Sequence, residues 1–414
     1  MEKNSRIHWA WIILVTCFFN LFINYSIRLG YGVVLPEMIR DLGFSRAAGG
    51  SIYNAYLFVY ITLTPLTGYL TDRIGARRVI TACALILGIG VILMGTVKTL
   101  TMACLFFAVA GMGATGMWTP VLTVVQRWFS LGRRGMALGI VSTGYGLGFA
   151  TMGVAFPWIV GHFEWRFAWY FLGAGALIMV LFNGLLLKSD PISSGYLPWG
   201  QKETTESMGD VNDPGRNSNW SIRMAFKEPT FWLIGTSYFF ISYPLYGMTT
   251  FMVDYARFDM ELPLARASFL ATIHGICMLP GVLTILPVSD YLGRKNTITL
   301  SNFFITMSLI GILFSGNSWI MLYSFVGIMA VFYGATFPIY GACAGDYFPK
   351  EVMGTVIGAW TVFYGGGAIL ANWVIGILRD ATGSYDMAFI INAVMAAIGF
   401  GLFFKVKKAP GTFT

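Results

Sequence analysis

The sequence predicts an all-α integral membrane protein: twelve transmembrane helices in two pseudo-symmetric six-helix bundles. Three observations predict this. Of 414 residues, 56% are hydrophobic and only 11% charged, where a soluble domain carries about 25% charged residues. Apolar runs long enough to cross the hydrocarbon core, roughly 20 residues, recur along nearly the whole chain. The basic residues are also unevenly placed. Of 27 Lys and Arg, 19 fall in the two tails and the alternate loops on their side, 7 fall in the other loops, and Arg28 lies inside a run. That bias puts both termini in the cytoplasm. It also accounts for the net charge of +8 without a nucleic-acid surface. Strands are excluded, because membrane barrels alternate over about ten residues and these runs are longer and uniformly apolar.

Span one covers 9–35. It is too long for a cleavable signal peptide and lacks a small-residue cleavage site. Span two, 48–71, ends in "GYLTDRIGARRV", where Arg73, Arg77 and Arg78 mark the inner side. Spans three and four follow at 77–97 and 101–128, the latter closing on Arg127. Span five, 134–161, begins at Arg134, just after Arg133, and span six covers 166–188. The stretch 189–228 is rich in Ser, Gly, Pro, Asn and charge, cannot bury a core, and reads as a flexible cytoplasmic linker. Spans seven to twelve are 229–252, 264–289, 296–315, 318–346, 351–378 and 385–405. Basic pairs follow span eight (Arg294, Lys295) and span twelve (Lys405, Lys407). The expected units are therefore an N-terminal bundle (1–188), the linker (189–228) and a C-terminal bundle (229–414).

The halves echo each other. "GYLTDRIGARRV" after span two matches "VSDYLGRKN" after span eight, so Asp72 and Asp290 hold equivalent places. Span five opens "RRGMALGIVSTGYGLG" and span eleven "EVMGTVIGAWTVFYGGG". Internal symmetry of this kind marks transporters that rock two bundles about a central site.

At these residues the chain resembles the major facilitator superfamily over essentially its whole length. "GYLTDRIGARR" (Gly68, Asp72, Arg73, Gly75, Arg77, Arg78) looks like the superfamily signature between spans two and three. The resemblance implies that Asp72 and its arginines latch the cytoplasmic side in the outward-open state. Asp290, by its equivalent place in the repeat, and Arg127, by its place in the loop after span four, are further gating candidates, with ordinary positive-inside charge the alternative for Arg127. "INYSIRLGYGVVLPEMIRDLGFS" is similar to the first span of anion:cation symporters, with Arg28 at their arginine and Ile27 where an acid commonly stands. "RWFSLGRRGMALGIVSTGYGLG" and "LRDATGSYDMAF" resemble the monocarboxylate porters and oxalate/formate exchangers. Many of those carry an arginine in span eight, where this chain has Val282.

Arg28 is the sharpest candidate. A charge at the centre of a membrane helix costs roughly 2.5–3.5 kcal/mol on insertion scales. Its guanidinium fork matches a carboxylate in two parallel hydrogen bonds, and no Asp or Glu lies near mid-membrane in its half of the chain. Asn20, Asn24 and Arg28 recur every four residues as one polar stripe, with Tyr31 a turn further, and the stripe is expected to face a central cavity. Tyr56, Tyr60, Trp118, Tyr145, Tyr243, Tyr246, Tyr333, Trp360 and Tyr364 sit near mid-depth, where each could offer a ring and one polar atom. Tyr333, Trp360 and Tyr364 rank highest, because spans ten and eleven line the cavity in the fold implied. His274, in "FLATIHGICMLP", and Asp254, at the end of span seven, are the candidate proton-coupling groups.

The expectation is a secondary transporter of a small organic anion, a monocarboxylate foremost, coupled to a proton as co-substrate. Anion exchange and export of hydrophobic compounds are the alternatives. No metal or other cofactor is expected: the five cysteines lie in apolar runs without ligand spacing. Nor is an enzyme, since three histidines and no deep carboxylate pair make no catalytic constellation. The expected setting is a prokaryotic inner membrane.

Overall fold

The computed structural model describes residues 8–201, 222–316 and 318–407. Twelve helical spans run through them. In order they are span one (Trp9–Arg28 and Tyr31–Leu42), two (Arg46–Ile74), three (Ala76–Met94), four (Leu100–Ala114 and Thr119–Trp128), five (Leu131–His162) and six (Arg166–Leu186). The second set is seven (Pro229–Phe258), eight (Leu264–Pro280 and Leu286–Leu292), nine (Arg294–Leu313), ten (Trp319–Tyr347), eleven (Lys350–Thr382) and twelve (Asp386–Phe404). Ten of the twelve are long and apolar enough to cross a membrane. Spans two and seven, at 29 and 30 residues, are as long, but Tyr, Ser, Thr and Gly dilute their apolar content.

Local chemistry sets the ends. Ser45, Thr99 and Ser318 each accept the free backbone N–H three residues on, opening spans two, four and ten, which satisfies a donor the helix itself leaves orphaned. Gly75 and Gly293 make the equivalent turns of the two halves. Each lies three residues after its acid, at φ 88° and 79°, a conformation that a Cβ disfavours. The repeat seen in "TDRIG" and "SDYLG" is thus a repeat of backbone geometry.

Three spans are interrupted. Span one bends just after Arg28, where Gly32 and Val33 N–H reach back only three residues, to Leu29 and Gly30. Span four tightens into a 3₁₀ turn at Thr115–Met117. Span eight widens into a π turn at Gly281–Ile285, next to Pro280. Such turns inside helices often sit at functional sites, and two of these three border the cavity described below.

The first and last described residues, His8 and Lys407, lie at one end of the molecule, called basal here; the other end is distal. Of the expected linker, residues 202–221 lie outside the described residues. Its described beginning, 189–201, is not loose chain. Trp199 exchanges backbone hydrogen bonds with Trp128 and Ser130, Trp128 Nε1 donates to Lys188 O at 2.9 Å, and Lys188 stands over the Trp9 and Tyr196 rings. Aromatic residues scattered through a polar stretch supply that anchor, a signal that composition averages away.

Candidate functional site

Between the two sets of six spans lies a cavity of about 990 Å³. It begins at Arg28, Leu29, Leu57 and Tyr246 near mid-depth. It runs past Trp118, Tyr145, Tyr333, Phe337 and Tyr364 to Gly135, Met136, Asp290, Arg294 and Gly354 at the basal end. It is open basally and closed distally.

The distal closure is dense with bonds between bundles. Arg46 Nε, at the start of span two, meets Asp254 Oδ2 of span seven at 3.2 Å. The backbone N–H groups of Arg46 and Ala47 donate to the Asp380 carboxylate of span eleven at 2.9 and 2.8 Å, so a helix N-terminus is docked on an acid of the other bundle. Glu37 pairs with Arg257 at 3.6 Å. Asn54 donates to Ile369 O and accepts from Asn372, and Trp373 Nε1 donates to Ser51. Backbones come close: a Cβ on Gly32 would strike Thr249 and Thr250, and one on Gly50 would strike Asn372. The basal ion pairs are different, since Asp72–Arg127 at 3.7 Å and Asp290–Arg294 at 2.5 Å each stay within one bundle.

At the roof of the cavity Arg28 is 7% exposed. Its Nη2 donates to the Tyr246 hydroxyl at 2.5 Å, a bond that joins span one to span seven. Its guanidinium carbon stands 4.6 Å from the centre of the Tyr60 ring, 5.7 Å from Tyr25 and 5.9 Å from Tyr246, within cation–π range. Its Nε has no hydrogen-bond partner, and among the described residues no carboxylate pairs with it. The cation is held by rings and one hydroxyl, with donors left over.

The mid-depth tyrosines are linked. The Tyr246 and Tyr364 rings meet edge to face at 5.6 Å, and those of Tyr145 and Tyr333 at 6.5 Å. Trp118 and Phe337 meet edge to face at 5.9 Å across the bundles. Hydroxyls therefore trail from Arg28 along an otherwise apolar wall.

Of the expected substrate residues, Arg28, Tyr60, Trp118, Tyr145, Tyr333 and Tyr364 line the cavity, and so does Asp290. Five others lie elsewhere. Tyr31 stacks on Tyr53 and Phe107 at 5.1 and 4.9 Å, and its hydroxyl donates to Gly49 O, because the bend after Arg28 turns it into the N-terminal bundle. Asn24 is buried away from the cavity with its Oδ1 unpartnered. Its neighbour Asn20 exchanges two hydrogen bonds with Asn183 of span six, so the four-residue stripe serves helix packing except at Arg28. Tyr56 is buried against Phe107 at 4.8 Å. Tyr243 is buried on another face of span seven, and the residue facing Arg28 is Tyr246. Trp360 donates to Phe231 O at 3.0 Å and packs inside the C-terminal bundle.

The two expected proton sites do not line the cavity either. Asp254 belongs to the distal closure. His274 is fully buried between Phe149 and Tyr333. Basally, Arg77 donates to Gly184 O, Arg73 lies over Tyr69, and Arg78 is exposed. Val282, at the position of the arginine found in some similar carriers, lines the cavity within the π turn. Sequence reasoning singled out none of Arg46, Glu37, Arg257 and Asp380. Their signal was compositional: acids and bases crowd the distal loops, where little positive charge is needed.

The family model described as Major Facilitator Superfamily matches residues 17–268 and 239–413. The chain is 22% identical to the "Probable hexose phosphate transport protein" of Chlamydia pneumoniae, over 98% of this chain and 93% of that one. It is 24% identical to "Monocarboxylate transporter 13" of Rattus norvegicus, over 95% and 88%. Among solved structures it resembles a bacterial homolog of the human lysosomal transporter Spinster in an inward-facing, unoccupied conformation. There the TM-score is 0.76 at 15% identity, with 98% of both chains covered, a likeness of fold.

Proposed function

The chain belongs to the Major Facilitator Superfamily of secondary transporters, and on that premise we propose that it carries a small organic anion, foremost a monocarboxylate, by alternating access. The observation that carries the reading is Arg28: a buried guanidinium at the blind end of a basally open cavity, with no carboxylate of the protein beside it among the described residues. A carboxylate arriving there takes two parallel hydrogen bonds from the fork, and Tyr246 can turn its O–H toward the second oxygen. The rings of Trp118, Tyr145, Phe337 and Tyr364 enclose an apolar body. With a single cation at the roof and Val282 in place of a second, the site suits one negative charge. Two of the relatives, named as a probable hexose phosphate transport protein and a monocarboxylate transporter, agree with an anionic cargo.

The charge bias supports cytoplasmic termini, which makes the basal end the inside and this conformation inward-open. An anion entering against a negative-inside potential meets about 2.3 kcal/mol per 100 mV, and a proton as co-substrate removes that cost. Exchange for another anion is the second reading, and Arg28 itself favours it. To reorient empty, the protein must occlude an uncompensated cation, which is costly; a returning anion supplies the missing charge.

A thermal-stability screen of purified protein against small organic acids tests the proposal, since a ligand of the native state raises apparent stability. Monocarboxylates should stabilise the wild type and leave Arg28→Ala unmoved. Stabilisation by lipophilic cations alone, or equal stabilisation of both proteins by the acids, would overturn it.

A further inference from the structure

His274 is 0% exposed, and neither ring nitrogen has a hydrogen-bond partner. It sits where span eight meets span five of the other bundle. Phe149 of span five lies 5.4 Å from its ring and Tyr333 of span ten 5.2 Å, perpendicular to it. The seam around it is tight: Thr272 donates to Ala150 O across the bundles at 2.9 Å, and Gly146 and Gly275 pack with no room for a Cβ on either. Among the described residues no Asp, Glu, Lys or Arg of spans five, seven, eight or ten forms an ion pair or hydrogen bond with it. Its own helix offers Thr272 and Cys277, and Tyr333 is the one titratable group in ring contact.

We propose that His274 is a proton sensor for the distal gate, admitting closure only when its ring is neutral. The distal halves of spans five and eight must part when the cavity opens to the other side. Parting removes Phe149 and admits water to the ring. An imidazole in water takes a proton below about pH 6.5. Returning that imidazolium to the seam would bury a cation with no partner for either N–H, so the proton leaves before the gate shuts. It enters and leaves from the same side, which makes this gating and not co-transport. The sign follows: the neutral form belongs to the closed gate, so acid on the distal side holds the gate open, by up to about tenfold in the open-to-closed ratio per pH unit below that value. The latch at Asp254 sets the baseline. Its Oδ2 takes both Arg46 and Tyr385 while Oδ1 has no partner. Arg379, Asp259, Asp380, Glu37 and Arg257 complete the charged ring around it.

The test needs no substrate, so it stands or fails apart from the anion reading. Spin labels replace Phe163 and Met387, both exposed at the distal end on opposite bundles, in a protein with its five cysteines changed to alanine. Distance distributions are recorded in nanodiscs from pH 8 to pH 5. The long-distance population should grow as pH falls. His274→Gln and His274→Leu should flatten that response, the leucine variant matching the apolar seam in case glutamine fails to fold. Asp254→Asn should lengthen distances at every pH and keep the slope. A flat wild type, a wild-type slope in both His274 variants, or a slope lost only in Asp254→Asn would each overturn the proposal.

Discussion

Arg28 and Tyr246 share one hydrogen bond, and in the proposed function the two residues together hold the carboxylate. Lysine at position 28 keeps the charge but loses the planar fork and its reach over the Tyr60 ring. Hydrogen bonds to charged groups contribute about 1.5–3 kcal/mol. Arg28→Lys should therefore weaken acid binding by roughly 10- to 100-fold, as read by titration calorimetry on a folded variant. Tyr246→Phe removes one donor to the charged carboxylate and keeps the cation, so a loss at the low end of that range, about 1.5 kcal/mol or roughly tenfold, is expected in the same assay. The contrast matters, because a purely structural Tyr246 would shift thermal stability and leave affinity alone. The sequence exposed Arg28 plainly, since a cation in an apolar run has few innocent explanations. It could not rank the tyrosines. Tyr243 and Tyr246 differ by under one helical turn, and only the packing of span seven against span one decides which faces the guanidinium.

Span seven is the element on which the distal closure turns. Tyr246, Thr250 and Asp254 recur every four residues, so one face meets Arg28, Asn372 and Arg46 in turn. The helix thus runs one ladder of bonds from the Arg28 guanidinium to the Arg46–Asp254 pair. Span two against span eleven forms the other half of the seam, where Gly50 abuts the Asn372 backbone. Gly50→Ala should wedge that contact and move the protein toward a distally open form. Hydrogen exchange of residues 250–258 would report it as faster exchange than in wild type, with the fold retained. The spans themselves were legible from apolar length and loop charge. Their breaks were not. Arg28 is followed by Leu-Gly-Tyr, an unremarkable run for a helix, and the bend there comes from how span one must reach both span five and span seven. The stripe argument for Asn24 and Tyr31 assumed a straight helix and a single exposed face, and it failed for that reason.

At the scale of the molecule, the two bundles are joined distally and parted basally, so the proposed alternating access requires the distal bonds to break. Asn54 and Asn372 hydrogen-bond across the bundles at 3.0 Å. A cysteine at each position, in a background without the native five, should close under oxidant into a disulfide that stops flux, and reductant should restore it. The twelve-span architecture and its repeat could be read in advance because each half carries the same acid and positive-φ glycine, Asp72 with Gly75 and Asp290 with Gly293. The conformation could not. Which charges meet across the seam depends on the state of the carrier, and Asp72 and Asp290 pair inside their own bundles here. The central claim is that the missing partner of Arg28 is the cargo. Its most direct measurement is uptake of the acid that best stabilises the protein, by liposomes holding wild type or Arg28→Ala at equal amounts of folded carrier. The account predicts saturable uptake by the wild type and uptake by the variant no greater than that of empty liposomes. Uptake by Arg28→Ala at the wild-type rate would contradict it.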